Sequence, residues 1–378
     1  MKNPLLQLID EGQAVWLDSI QRGQLKSGEL KQLIDQDGLR GETANPTIFE
    51  KALGSGDYDD QIRELVKQNL DANAIYERIA TDDVRLACDL FRPLYDQLNR
   101  ADGFVSLEVS PKLAYDTQGT LKEVRSFWQT VNRSNLMIKI PGTQEGVPAI
   151  EQALYEGINI NITLLFSVAA YEAVAWAYIR ALERRVAENK PIHQLASVAS
   201  FFVSRIDTLA DKWLDEKIKR ESDRRKIEEL NNLKGKVAIA NAKIAYERFK
   251  EIFTGSRFQA LREKGARVQR PLWASTSTKN PAYADVMYVE ALIGPDTVNT
   301  MPLETINAFR DHGIVERTVD KDMEAEHQVI YHFENAGLSL KAVTDQVLKE
   351  GVEKFAESLD TLLNNLEAKR REMIEVVR

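Results

Sequence analysis

The chain has 378 residues, 43% of them hydrophobic, enough to bury the core of one big α/β domain or two ordinary ones. Fifty Lys and Arg against 58 Asp and Glu leave a net charge of −8, which argues against nucleic-acid or membrane partners but not against a small basic pocket for an anion. No apolar run could span a bilayer, Asp10 and Glu11 stand where a secretion signal needs its apolar stretch, and the one cysteine, Cys88, excludes an internal disulfide, so a cytoplasmic protein is expected.

Short strand-like runs alternate with longer amphipathic ones along the chain. Strands are expected at 14–20 (AVWLDSI), 38–46 (GLRGETANP), 103–111 (GFVSLEVSP) and 136–143 (LMIKIPGT). Four more follow at 157–163 (GININIT), 195–203 (LASVASFFV), 268–275 (VQRPLWAS) and 297–302 (TVNTMP). Helical patterns at 60–70, 81–98, 146–155, 167–189 and 211–253 lie between them. Strands joined by helical crossovers favour a parallel sheet, and eight such units favour an α/β fold of the closed (β/α)8 TIM-barrel type with additional helices, as one domain over 1–378. Two connections, 46–103 and 207–268, are long but helical in pattern. The second holds DEKIKRESDRRKIEELNNLKGK and reads as a helical insertion at 208–262. The amphipathic 340–378 run is expected to form a C-terminal helix that packs on the barrel or on a partner chain.

Alternation along the strands carries the chemical signal. In GININIT one face holds Ile158, Ile160 and Ile162 and the other Asn159, Asn161 and Thr163. In the third strand Val105, Leu107 and Val109 oppose Ser106, Glu108 and Ser110. A helix-flanked barrel has no wet side, so the apolar faces meet the helices and the polar faces point inward, where they must bond one another or a ligand. Lys139, opposed to Leu136, Ile138 and Ile140 in NLMIKIPGTQEG, then joins Glu108, Asn161 and Thr163 in the interior. Two readings fit such a lysine. A desolvated ammonium gives up its proton more readily and offers the neutral amine that attacks a ketone to make a Schiff base; alternatively Lys139 and Glu108 form a buried ion pair that only holds the barrel together.

Barrel enzymes keep their chemistry at the C-terminal rim of the strands. Asp18 ends the first strand and Asn45 the second, in positions that also suit turn residues and helix caps. Arg205 and Lys279 are the cations nearest the ends of later strands, and Ser275, Ser277 and Thr278 place hydroxyls beside Lys279 in a turn that can cradle a phosphate. Only four histidines occur, and His327 and His332 stand outside any cluster at metal-ligand spacing, so no metal or other cofactor is expected.

The segments LDSI, TANPTIF, SLEVSPKLAYDT, NLMIKIPGTQEGVPAIEQALYEGININI continuing into TLLFS, SVASFFVSRID and RPLWASTSTKNPAY together resemble the transaldolases in their longer bacterial form. The resemblance runs from about Asp18 to the C-terminal helices. It implies a cofactor-free class I aldol transfer between small sugar phosphates in the non-oxidative pentose phosphate pathway. By position, Lys139 matches the Schiff-base lysine, Glu108 and Thr163 the pair that handles water during dehydration, and Asp18 the acid/base at the C4 hydroxyl. Asn45, Asn161 and Ser200 match groups that bond the hydroxyls of a dihydroxyacetone unit, and Arg205 a phosphate-binding arginine. Where shorter relatives carry Ser-x-Arg this chain has STSTKN, so Lys279 stands as the substitute cation with Ser275 or Ser277 as its hydroxyl. A fructose 6-phosphate aldolase of the same superfamily and a non-catalytic sugar-phosphate-binding barrel are the alternatives, and a monomer or homodimer is expected.

Overall fold

A computed structural model describes residues 3–377; Met1, Lys2 and Arg378, which begin the opening segment and end the expected C-terminal helix, lie outside the described residues. Eight strands pair in parallel, each with the next, and the last closes onto the first. They are β1 Gln13–Leu17, β2 Gly41–Thr43, β3 Phe104–Glu108, β4 Leu136–Pro141, β5 Ile160–Leu165, β6 Ser197–Phe202, β7 Arg270–Ala274 and β8 Thr297–Met301. The expected (β/α)8 barrel is therefore the fold, and every expected strand occurs, most of them trimmed at the ends. The second is cut furthest. Asn45 accepts a hydrogen bond from Ile48 N at 3.0 Å and caps helix Pro46–Leu53, whose first residue is a proline, so the extended chain turns helical as soon as it leaves the sheet.

Register decides which side chains face inward. Glu108 stands opposite Lys139 and Lys139 opposite Asn161, while Ser200 pairs with Leu272 and Trp16 with Thr300. The lower interior is filled by Trp16, Phe104, Met137 and Val198, all buried. Trp16 fits because β2 carries glycine beside it: a Cβ at Gly41 would lie 2.5 Å from the indole. The Trp16 indole donates to Asp102 at 2.9 Å, and Arg270 closes the same carboxylate from the other side at 3.0 Å. Above this plug the interior turns polar.

The shell contains more than the eight crossovers. Between β6 and β7 lie helices Ser204–Ile218, Arg224–Asn231, Val237–Thr254 and Ser256–Arg262. The first begins at Ser204, directly after β6, so the charge-rich stretch divides into the crossover helix of β6, a short solvated helix, and a third helix whose Phe249 and Phe253 are buried. The long C-terminal helix, Leu340–Val377, spans 38 residues and crosses the carboxyl end of the barrel. Thr47 and Ser358 share a hydrogen bond of 2.9 Å, Lys112 pairs with Asp360, and Lys369 with Asp59 at 2.8 Å, which fix it to segments following β2 and β3. Among the described residues no helix is long and apolar enough to cross a membrane.

Asp207 ties this shell together. It is buried, accepts Ala238 N at 2.7 Å and the Tyr288 hydroxyl at 2.9 Å, and burial pushes its carboxyl up to about 7. Because the folded value lies above the unfolded one of about 3.9, this group's contribution to stability is complete at low pH and is lost as pH rises through about 7. Asp207→Asn keeps an oxygen for Ala238 but cannot ionise. Urea midpoints measured from pH 4 to pH 8 should therefore fall less steeply for the variant than for the unmodified protein, by a few kcal/mol across the range (~1.4 kcal/mol per pKa unit). Parallel curves would show that Asp207 carries none of the dependence.

Candidate active site

The polar upper half of the barrel interior gathers side chains from β1 to β6 and from β8. Lys139 and Glu108 are almost wholly buried, with the ammonium 3.1 Å from Glu108 Oε2. The same Nζ lies 3.4 Å from the carbonyl of Ala44, just beyond β2. Both Glu108 oxygens and the Thr163 hydroxyl are buried without a well-directed hydrogen bond among the described residues. Leaving such groups unmet costs about 1–3 kcal/mol each, a cost that a ligand or water making those bonds would remove.

Thr163 owes its position to a local irregularity. The register between β5 and β6 shifts between Ile162 and Leu165, and Leu164 takes a left-handed conformation with φ 59°. A bulge of this kind re-aims the side chain next to it and recurs beside functional sites.

Asp18, one residue past β1, accepts the Thr43 hydroxyl at 2.7 Å, and Thr43 in turn lies 2.8 Å from the Thr300 hydroxyl. Burial raises the Asp18 carboxyl above its ordinary value, with Lys139, the Thr43 bond and Arg205 pulling it back. Burial likewise raises Glu108, opposed first by Lys139 and reinforced by Asp18. The two carboxyls, Lys139 and Arg205 therefore form one electrostatic cluster. Carboxyls lifted in this way can exchange protons nearer neutral pH than free ones.

Below them runs a chain of amide and hydroxyl groups. Ser200 donates to Asn161 Oδ1 at 2.6 Å, and Asn161 Nδ2 donates to the Ser106 hydroxyl at 3.0 Å. Asn45 spends its oxygen on the helix cap, so it is the amide NH2 that it can offer a ligand.

Arg205 lies in the first turn of helix Ser204–Ile218, its guanidinium 5.5 Å from the Phe202 ring and 5.6 Å from the Phe355 ring. Phe355 also lies 5.9 Å from Lys139 Nζ, so one ring of the C-terminal helix covers both cations. The helix can come this close because Gly351 faces Arg205; a Cβ there would be 3.3 Å from Nη1 and 3.1 Å from the Leu164 side chain. Arg205 has no ion-pair partner among the described residues, leaving its planar fork for an anion.

The serine turn divides. Ser275, with φ 56°, sits 2.9 Å from the Ser204 hydroxyl, and its carbonyl accepts Ser204 N at 3.0 Å, which puts it beside Arg205. Ser277 instead accepts a bond from Lys279 at 3.0 Å. Lys279 is exposed and lines an outer groove of about 420 Å³ with Asp207, Asp211 and Tyr283. The expected residues Lys139, Glu108, Asp18, Thr163, Asn161, Ser200, Asn45 and Arg205 thus surround one end of the barrel, Ser275 adjoins them, and Ser277 and Lys279 turn away.

Thr43, Thr300 and Phe355 were not anticipated. The two threonines lie on inward faces that period-two alternation of their strands would have exposed to notice. Phe355 gave no signal, because EGVEKFAESL reads only as an amphipathic helix. Among the described residues no group of three or more His, Cys, Asp or Glu side chains is arranged to hold a metal ion.

A buried lysine, two lifted carboxyls and an arginine without an ion-pair partner among the described residues meet at the carboxyl ends of the strands of a closed parallel barrel, the end where barrel enzymes carry their chemistry. The chain belongs to the transaldolase/fructose-6-phosphate aldolase family, whose model matches residues 15–366. It is 50% identical over 371 residues to transaldolase 2 of Nostoc sp. (strain PCC 7120 / SAG 25.82 / UTEX 2576), a match covering 97% of each chain. It is 47% identical to the transaldolase of Trichodesmium erythraeum over 99% of each chain. With the transaldolase of Thermobifida fusca it shares 46% over 97% of this chain and 98% of the other.

Thr43→Val keeps the shape of the side chain but removes the donor to Asp18. Since that bond holds the Asp18 carboxyl down, its loss should move the Asp18 titration to higher pH, read by NMR of carboxyl-labelled aspartate, and cost about 1–3 kcal/mol in denaturant unfolding. An unmoved titration would detach Thr43 from the acid.

Proposed function

We propose that the protein is a transaldolase that moves a dihydroxyacetone unit from sedoheptulose 7-phosphate or fructose 6-phosphate to glyceraldehyde 3-phosphate or erythrose 4-phosphate, through a Schiff base on Lys139. The observation that carries this reading is the buried Lys139–Glu108 pair, 3.1 Å apart, with the Glu108 oxygens and the Thr163 hydroxyl free to bond a third group. A proton passed from ammonium to carboxylate leaves both neutral, an amine nucleophile beside a carboxylic acid, at little electrostatic cost in a dry cavity.

The amine adds to the ketone carbon to give a carbinolamine. Glu108 and Thr163 return a proton to its hydroxyl, which leaves as water and generates the iminium. Asp18 takes the proton of the C4 hydroxyl; the C3–C4 bond breaks, its electron pair flows into the iminium, and the aldose phosphate departs. What remains is an enamine on Lys139, which attacks the aldehyde of the incoming aldose phosphate in the reverse sequence. Asn161 and Ser200, fixed by their mutual bond, and the Asn45 amide hold the hydroxyls of the three-carbon unit, while Arg205 with Ser275 takes the phosphate. Ser275 is preferred to Ser277 and Lys279 for that role because it adjoins the Arg205 turn. The enamine survives between substrates only where water is kept out, and Phe355 supplies that roof.

The substrates are small anions, which agrees with a local basic centre in a chain of net charge −8. The reading carries with it a cytoplasmic monomer or homodimer without nucleic-acid or membrane partners.

Borohydride reduction in the presence of fructose 6-phosphate, followed by peptide mass analysis, tests the core of the reading. A three-carbon adduct on Lys139 is expected, and its disappearance on adding erythrose 4-phosphate before the reductant would mark transfer rather than release of free dihydroxyacetone. Folded protein without an adduct would return the pair to a purely structural role. Lys139→Ala should lose transfer by at least about 10⁴-fold, in keeping with removal of a covalent nucleophile. Glu108→Gln should slow Schiff-base formation by roughly 10²- to 10⁴-fold in single-turnover trapping. Ser275→Ala should raise KM for the sugar phosphate with little change in kcat, whereas Ser277→Ala should leave both near their original values.

A further inference from the structure

The amino ends of the strands, at the pole opposite the reactive lysine, enclose a pit of about 340 Å³, within the size range of small-molecule sites. Its rim carries four arginines, Arg100, Arg262, Arg267 and Arg270, against one carboxylate, Asp296. Most arginines elsewhere on this acidic chain are paired: Arg125 with Glu156, Arg133 with Asp89, Arg257 with Glu183. At the pit only Arg270 has such a partner, the buried Asp102. Arg262 donates to the Phe253 carbonyl and lies 5.5 Å from the Phe258 ring, and Arg267 donates to the Asn99 carbonyl, none of which neutralises the guanidinium charge. Arg100 makes no side-chain hydrogen bond or ion pair among the described residues. Three uncompensated guanidiniums over one carboxylate leave two positive charges at a concavity, where low-dielectric walls focus the field. Burial holds the Arg267 guanidinium below its ordinary value, with Tyr95 and Tyr178 opposing the shift and the neighbouring Arg270 and Arg100 adding to it.

The floor differs from the rim. Phe104, Met137 and Val198, the lowest layer of the barrel interior, lie beneath it almost wholly buried, and the apolar surface that reaches the pit is that of Ala101, Val268 and, in small part, Ala266. A solvated patch of arginines needs no such floor. An apolar bottom under a doubly positive rim suits a ligand with an apolar body and a dianionic head, the charge of a phosphate monoester near neutral pH, and guanidinium forks match phosphate oxygens in pairs. We propose that this pit is a second binding site, separate from the catalytic end, for a small organic phosphate.

Phenyl phosphate, with an aromatic body and a dianionic head, is the probe, and the methyl resonances of alanine-labelled protein at Ala101 and Ala266 are the reporters. Because the catalytic end is proposed to take phosphates as well, the titration is run on the full-length chain and on Arg205→Ala. Saturable shifts at both methyls in both proteins are expected, with inorganic phosphate binding at least tenfold more weakly because it cannot use the floor. Arg100→Gln should weaken phenyl phosphate by at least fivefold. Since the Arg100 side chain makes no hydrogen bond or ion pair among the described residues, and its backbone bond to the Tyr95 carbonyl survives the substitution, this variant tests the site without loosening the structure, whereas Arg267→Ala also frees the Asn99 carbonyl. Shifts that vanish in Arg205→Ala, that persist unchanged in Arg100→Gln, or that inorganic phosphate reproduces at equal strength would each overturn the proposal. So would the absence of any saturable shift.

Discussion

The structure turns on one ion pair placed where water cannot reach it. Lys139 and Glu108 face each other across adjacent strands inside a closed barrel, and each would be intolerable there alone. Breaking a buried pair by removing one partner typically costs about 3–5 kcal/mol, while replacing both by apolar groups is often harmless. Stability therefore does not explain why the pair is present; a fold seeking only a core would have used leucine. What the pair places inside the barrel is an ammonium 3.1 Å from a carboxylate oxygen, the arrangement on which the proposed Schiff-base chemistry rests. The residues around it follow from that constraint. Apart from the plug of Trp16, Phe104, Met137 and Val198 below the pair, the polar positions left inside are tied to one another, Ser200 to Asn161 to Ser106 and Asp18 to Thr43 to Thr300.

Such an interior has to be closed at the top as well as at the sides. The C-terminal helix performs this for the carboxyl end, and it does so with a ring rather than a charge. A carboxylate in the place of Phe355 would pair with Arg205 and Lys139 and compete with any anionic substrate. An aromatic face attracts both cations weakly and leaves their hydrogen-bonding capacity unspent. Gly351, one turn earlier, sets the distance, because any side chain there would press on Arg205 and on the strained Leu164 beside Thr163. Through that contact the position of the last helix is coupled to the bulge that aims the threonine.

Much of this was legible in the sequence. Alternation in INIT and VSLEVS, taken with the absence of any wet face in a barrel, was enough to place Asn161, Thr163 and Glu108 inside with Lys139, because period two allows only two faces and the apolar one was already assigned. Asp18 and Asn45 were legible as strand-end residues, and Asn45 proves to be both a helix cap and a rim residue, functions that use different atoms of one amide. The serine turn was not legible. STSTKN contains four hydroxyls and a cation within five residues, and which of them lies beside the Arg205 turn depends on the left-handed conformation at Ser275, a property of how the end of β7 meets the helix that begins at Ser204 rather than of the residues themselves. The covering role of Phe355 was illegible for a related reason: it comes from a contact between positions more than 200 residues apart in an otherwise ordinary helical pattern.

The two ends of the barrel solve the same electrostatic problem in opposite ways. At the carboxyl end two cations are balanced by Asp18 and Glu108, so the cluster is close to neutral before substrate arrives, and an incoming phosphate tips it only modestly negative. At the amino end Asp102 balances Arg270 alone, and the remaining guanidiniums face one another across an apolar floor. A plug of the buried Trp16, Phe104 and Met137 separates the two, so each end meets an anion with its own set of cations.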